Sequence, residues 1–217
     1  MTQETPRLEV FQDLSLRGPI EDLPKLRQAL LNHIVAPWSL AEDQPKPVGL
    51  DGDLLRFQRA ASEGISAATL VLFSQPDGYW VANIVPIEMG QLTYGQYNAV
   101  LQDFERQIAR DAGREVGFEV VTTAPRQSIE DWLHPPAVRA LRRFSSAANK
   151  STGSAHPADR ERWYKFLIEA HTDKGVLEAG GLRRWLIEVE GWDEDSASKL
   201  AIEYEFGLGL LELYDPQ

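Results

Sequence analysis

Between Asn149 and Phe166 the chain reads NKSTGSAHPADRERWYKF, which sets chemically capable side chains at short spacing. His156 stands three residues before Asp159, with Arg160 and Arg162 close behind, the parts of a general base, an orienting carboxylate and an anion clamp. The same step at a helix start also describes capping, with Asp159 favourably set against the helix dipole. Capping needs no partner from elsewhere in the chain, so it is the simpler reading. His134, just before Pro135 and Pro136, is the other candidate base, and it too is followed by arginines: Arg139, Arg142 and Arg143.

Several chemistries lack their signature. There are no cysteines, which excludes disulfides, thiolate zinc sites and cysteine nucleophiles. No glycine-rich phosphate loop, glycine-flanked serine or His-Glu-x-x-His is present. His33 and His134 make no metal-ligand spacing, and His171 with Asp173 reads as a helix end. Asp193, Glu194 and Asp195 are followed by neither the glycine nor the distal glutamate of a calcium loop. Ser145, Ser146, Ser151, Thr152 and Ser154 have the composition of a connector rather than the setting of a nucleophile. The expectation is therefore no catalytic residue beyond the weak candidates His156, Asp159 and His134, no metal site and no cofactor.

Charge is unevenly distributed along these 217 residues, whose formal net charge is -11. Residues 1–125 hold 10 basic and 17 acidic side chains, residues 126–165 hold 8 and 4, and residues 166–217 hold 4 and 12. Polyphosphate is repelled by such a balance unless the basic segment is exposed as a stripe. That segment contributes Arg139, Arg142, Arg143, Arg160, Arg162 and Lys165 as candidates for binding a partner or an anion. Charge runs on helices are usually solvated faces, so internal neutralisation is the plainer expectation.

The elements that would position these groups follow from periodicity. LEVFQDLSL, residues 8–16, alternates like a strand, and DLPKLRQALLNHI reads as an amphipathic helix with Asp22 at its N-cap and Pro24 in its first turn. A loop rich in proline and glycine runs from 36 to 53, with a short extended piece at Trp38–Leu40. LLRFQRA is a strand, and ATLVLFSQPDGYWVANIVPI is a hairpin turning at Gln75–Gly78. Thr93 and Gln96 form a capping box for a long helix with Gly113 as its stop, and EVGFEVVTT adds a strand. SIEDWL starts a further helix that resumes after His134-Pro135-Pro136.

The predicted fold is α+β: a largely antiparallel sheet of about four to five strands with helices on one face, then a small C-terminal three-helix unit. The stripes of that unit are Trp163, Phe166, Leu167 and Ala170; Leu182, Trp185, Leu186 and Val189; and Ala197, Leu200, Ala201, Tyr204, Leu208 and Leu211. The expected domains are residues 1–147, a linker at 148–157, and an acidic helical unit at 158–217.

Without a catalytic constellation, the preferred function is a non-catalytic, soluble protein-binding module, such as an acidic antitoxin, immunity protein or regulatory adaptor, with a basic protein as partner. The alternative is an enzyme or small-anion-binding protein with its site at the domain junction. Nucleic-acid binding through 126–165 comes third, disfavoured by the flanking acidic segments. The start MTQETPRLEV lacks the basic and apolar regions of a secretory signal, and no apolar run is long enough to span a bilayer. The expectation is a cytoplasmic protein with no membrane association.

Overall fold

The computed structural model describes residues 6–41, 52–172 and 176–215. Two compact units emerge, one formed by Val10–Pro125 and the other by the residues on either side of that segment. Among the described residues no helix is long and apolar enough to cross a membrane.

The sheet unit contains β2 (Leu14–Arg17), α1 (Leu23–Asn32), β3 (Trp38–Leu40), β4 (Leu54–Arg59), β5 (Ala68–Gln75), β6 (Gly78–Pro86), α2 (Tyr94–Phe104), α3 (Arg110–Val116) and β7 (Glu119–Thr122). β1 (Leu8–Glu9) belongs to the other unit. Six strands form one antiparallel sheet in the order β3-β4-β5-β6-β2-β7. Alternation sends Leu14, Leu16, Leu55, Phe57, Leu70 and Leu72 to one face, where they pack with Leu26, Leu30, Leu101, Phe104 and Ile108 of the helices. Fully burying each such side chain contributes about 1.5–3 kcal/mol relative to leaving it in water. The expected class is correct, with a sheet of six strands and a separate two-stranded ribbon.

Local chemistry explains most element boundaries. Thr93 and Gln96 form a reciprocal capping box at the start of α2. The β5–β6 hairpin closes with Gln75 opposite Gly78, as its turn residues predict. Gly78 has φ of 154°, and a Cβ there would lie 1.7 Å from the Leu16 carbonyl oxygen on β2, so close strand approach demands glycine. Asp22 sits at the N-cap of α1 but makes no cap hydrogen bond; it pairs with Lys25 at 2.6 Å instead.

Two expectations for this unit change. The strand over residues 8–16 is broken: Asn98 on α2 accepts from the Gln12 backbone N–H and donates to the Val10 carbonyl, satisfying the backbone where pairing stops. Leu8 then pairs elsewhere, opposite Gln127. The helix does not stop at Gly113, which is buried within α3 against Phe118 and Val120; it ends at Gly117, where φ of 77° suits glycine. Between α2 and α3 the backbone widens into a π turn, Glu105–Ala109. Residues 42–51, where the first loop was expected, lie outside the described residues.

The helical unit comprises β1, β8 (Arg126–Gln127), α4 (Pro135–Ala147), α5 (Pro157–Thr172), α6 (Ala179–Glu188) and α7 (Glu194–Tyr214). The SIEDWL segment forms only a short 3₁₀ turn at Ile129–Asp131, closed by a Ser128–Asp131 capping box. Apart from Ala201, all three predicted stripes lie in or against one core, which also takes in α4. Phe144 of α4 packs 4.9 Å from Trp163 and stacks at 5.5 Å on Trp192. Residues on both sides of 148–157 share this core, and the chain passes between its two compact units at Glu9–Val10 and at Pro125–Arg126.

Candidate functional site

The basic segment lies within the helical unit, and its charges are largely engaged locally. Arg142 pairs with Glu130 at 2.5 Å, Arg162 with Asp159 at 2.6 Å and Lys165 with Glu161 at 2.7 Å. The Lys165 ammonium holds the Glu161 carboxyl below its ordinary value. Arg139 and Arg143 are exposed and make no ion pair among the described residues. Among the described residues the Arg160 side chain reaches only the Ala155 carbonyl, at a long 3.5 Å.

The candidate acid–base pair is not brought together as a dyad. His156 is exposed at the start of α5, where its ring nitrogen accepts from the Ala158 N–H at 3.2 Å and its carbonyl accepts from Asp159 and Arg160. Asp159 is buried and accepts from Arg162. His134 occupies the N-cap position of α4. The other two histidines face carboxylates, His33 at 2.9 Å from Glu115 and His171 at 2.8 Å from Asp215. Ser145 is a buried structural relay: it accepts from the Trp192 indole and donates to Glu190. Among the described residues no group of three or more side chains is arranged to hold a metal.

A polar recess in the sheet unit lies over the π turn, beside Gln12, Asp103, Glu105, Arg106 and Arg110. Its carboxylates are already committed. Asp103 accepts from Arg59, Arg106, Trp38 and Gln107, and Glu105 accepts from Arg110 and Thr122. Burial pushes the Asp103 carboxyl up, but these donors outweigh it and hold it below its ordinary value. The arrangement reads as a structural hub, because both carboxylates are already engaged by donors of the same unit.

The feature with capacity to bind is a groove between α5 and α7, closed at one end by the loop at 151–155 and enclosing about 950 Å³. Trp163, Leu167, Leu200 and Leu211 line its floor, and Tyr164, Ile168, Phe206 and Leu210 stand along its rims. The helices approach closely because Gly207 lacks a side chain: a Cβ there would meet Leu167 at 2.8 Å. Phe206 is 73% exposed and Ile168 54%, an unusual state for large apolar side chains grouped on one surface. The buried Trp163 indole N–H has no hydrogen-bond partner among the described residues. At the loop end Ser154 donates to Glu203, while Arg160 and Lys199 line the same end without an ion pair among the described residues.

Of the predicted partner- or anion-binding residues, only Arg160 lines this groove. The α7 rim was missed because its exposed apolar residues interleave with the core stripe along the helix. Their excess over one packed face was itself a usable signal. Comparison with protein-family models, with curated proteins and with solved structures finds no match.

Proposed function

We propose that the chain is a non-catalytic protein-binding module and that the groove between α5 and α7 is its docking surface. The observation that carries this reading is the row of exposed Tyr164, Ile168, Phe206 and Leu210 over a packed floor. Aromatic and aliphatic side chains beside a preformed apolar recess are the anchors that dominate protein interfaces. The surrounding charge favours a protein over polyphosphate, because α7 carries Glu194, Asp195, Glu203, Glu205 and Glu212 against a single Lys199. The helical capping by His156 and the local pairing of Asp159 favour this reading over catalysis at that segment.

A photo-crosslinking amino acid placed at Tyr164, on the rim, tests the proposal in the source cell. Crosslinks to a defined protein segment are expected there and not at Gln58 on β4. Absence of any position-specific crosslink at Tyr164 and Phe206 would refute the module.

A further inference from the structure

The closed end of the α5–α7 groove differs from the rest of it in charge. α5 and α7 run the same way, since their contacts ascend together: Phe166 stacks on Tyr204 at 5.6 Å, Leu167 lies against Gly207 and His171 meets Asp215. Arg160 precedes Phe166 by six residues and Lys199 precedes Tyr204 by five, so at about 1.5 Å per residue the two cations stand at one level, beside the loop at 151–155. Both helix N-termini, the positive ends of their dipoles, lie toward the same end. Neither Arg160 nor Lys199 has an ion pair among the described residues. One acid shares this end: Glu203, whose carboxylate accepts from the Ser154 hydroxyl at 2.8 Å. Two cations against one carboxylate leave a local excess of one positive charge.

Beyond that end the groove is apolar, with Leu167 and Leu211 on its floor and Ile168, Phe206 and Leu210 on its rims. From Lys199 to Leu210 α7 rises roughly 16 Å, room for an alkyl chain of medium length. The enclosed volume of about 950 Å³ lies within the roughly 300–1,000 Å³ of small-molecule sites. Trp163 also lines this recess, with its indole N–H buried and without a hydrogen-bond partner among the described residues. A buried donor left unsatisfied calls for an acceptor from outside the chain.

We propose that the groove binds a small amphipathic monoanion, a free carboxylate with an apolar body, its head between Arg160 and Lys199 and its body laid along the floor toward Leu210. The inference goes beyond the docking reading and does not depend on it. Charge selects the anion. A cationic amphiphile would set three positive charges against Glu203, and a neutral one would leave both cations without a counter-ion. Arginine offers a carboxylate a planar fork of donors and lysine a point charge, while burial of the apolar body supplies affinity. The chain as a whole carries -11, so non-specific adsorption favours a cationic amphiphile and only the groove favours an anionic one.

Isothermal titration of the full chain with decanoate, decanol and decyltrimethylammonium, each below its micelle-forming or solubility limit, tests this, because the three share a tail and differ in head charge. Decanoate should bind saturably, one per chain, about tenfold or more tighter than decanol, with decyltrimethylammonium weakest. Arg160→Gln and Lys199→Gln should each weaken decanoate about five- to tenfold and leave decanol unchanged. Both side chains are exposed, so the far-UV spectrum should not move. Leu210→Asp should weaken decanoate and decanol alike, and Arg139→Gln, an exposed cation that does not line the groove, should weaken neither. Decanoate no tighter than decanol, a preference for the cationic amphiphile, or Arg160→Gln and Lys199→Gln both without effect would overturn the inference. Crosslinks from Tyr164 without a decanoate preference would sink the ligand and leave the docking module standing; a decanoate preference without crosslinks would do the reverse.

Discussion

Replacing Asp103 with alanine should be among the costliest single changes in the sheet unit. Its side chain and that of Arg59 are both fully buried, 2.7 Å apart, and Trp38 donates its indole N–H to the same carboxylate at 3.0 Å. Removing one member of a buried pair costs about 3–5 kcal/mol, because the remaining charge has lost its counter-ion and cannot reach water. The orphaned Trp38 N–H adds about 1–3 kcal/mol. Arg106, 65% exposed, loses little because water replaces the carboxylate. The two larger costs overlap where the site relaxes, so about 4–6 kcal/mol is expected, a large share of the roughly 5–15 kcal/mol that holds a domain together. With a urea slope of about 2 kcal/mol/M, the midpoint should fall by about 2–3 M. The assay is equilibrium urea unfolding followed by tryptophan fluorescence, with Arg59→Met/Asp103→Leu as the second arm. That double variant leaves no isolated charge and should recover more than half of the loss. A loss below about 1.5 kcal/mol for Asp103→Ala, or a double variant as poor as the single, would refute the reasoning. The acid limb carries its own sign. A carboxyl held below its ordinary value when folded contributes stability above about pH 3.9 and loses it as pH falls through the folded value. The gap between wild type and Asp103→Asn should therefore close on acidification.

Further outcomes follow from single contacts. Gly78→Ala should cost more than about 2 kcal/mol by thermal unfolding, because its methyl group overlaps the Leu16 carbonyl and must push β6 from β2. Ser145→Ala leaves the Trp192 indole without its acceptor and should cost about 1–3 kcal/mol in urea, with a change in the near-ultraviolet tryptophan band. Burial pushes the Tyr204 phenol up to about 12, so its stabilising effect is full below the unfolded value near 10 and fades as pH rises through 12. Absorbance at the tyrosinate band should show a late phase that Tyr204→Phe diminishes.

Local signals in the sequence located most elements, because each had its own chemistry. Thr93 with Gln96, Gly78 at the hairpin and Asp193 at the start of α7 act through bonds to residues a few positions away, and Asp193 does accept from the Ser196 N–H. The assignments that changed depended on distant partners. Leu8 and Leu14 share a parity, yet they enter different units because Asn98, far along the chain, takes over the backbone groups between them. The small polar residues at 148–157 have a connector's composition, but Ser154 donates to Glu203 and Gly153 lies against Leu200, contacts that composition cannot express. The Arg59–Asp103 hub was equally hidden, since neither residue looks buried until β4 and α2 are packed.

The site shows the same limit from the other side. The basic segment stood out because charge is easy to count, yet three of its members are neutralised by carboxylates three, four and twelve residues away in the chain: Asp159, Glu161 and Glu130. Its remaining feature of consequence is Arg160, and that arginine matters through Lys199, which the count assigned to the acidic tail. The apolar rim was legible only as excess. Residues 200–213 hold more large apolar side chains than one packed face can absorb, so part of that helix had to stay exposed or meet a partner. Core packing consumes Leu200, Ala201 and Tyr204. What is left over, Ile202, Phe206, Leu210 and Leu213, has a helical period of its own, and a leftover stripe with a period is more readily explained by a second surface than by a poorly filled core.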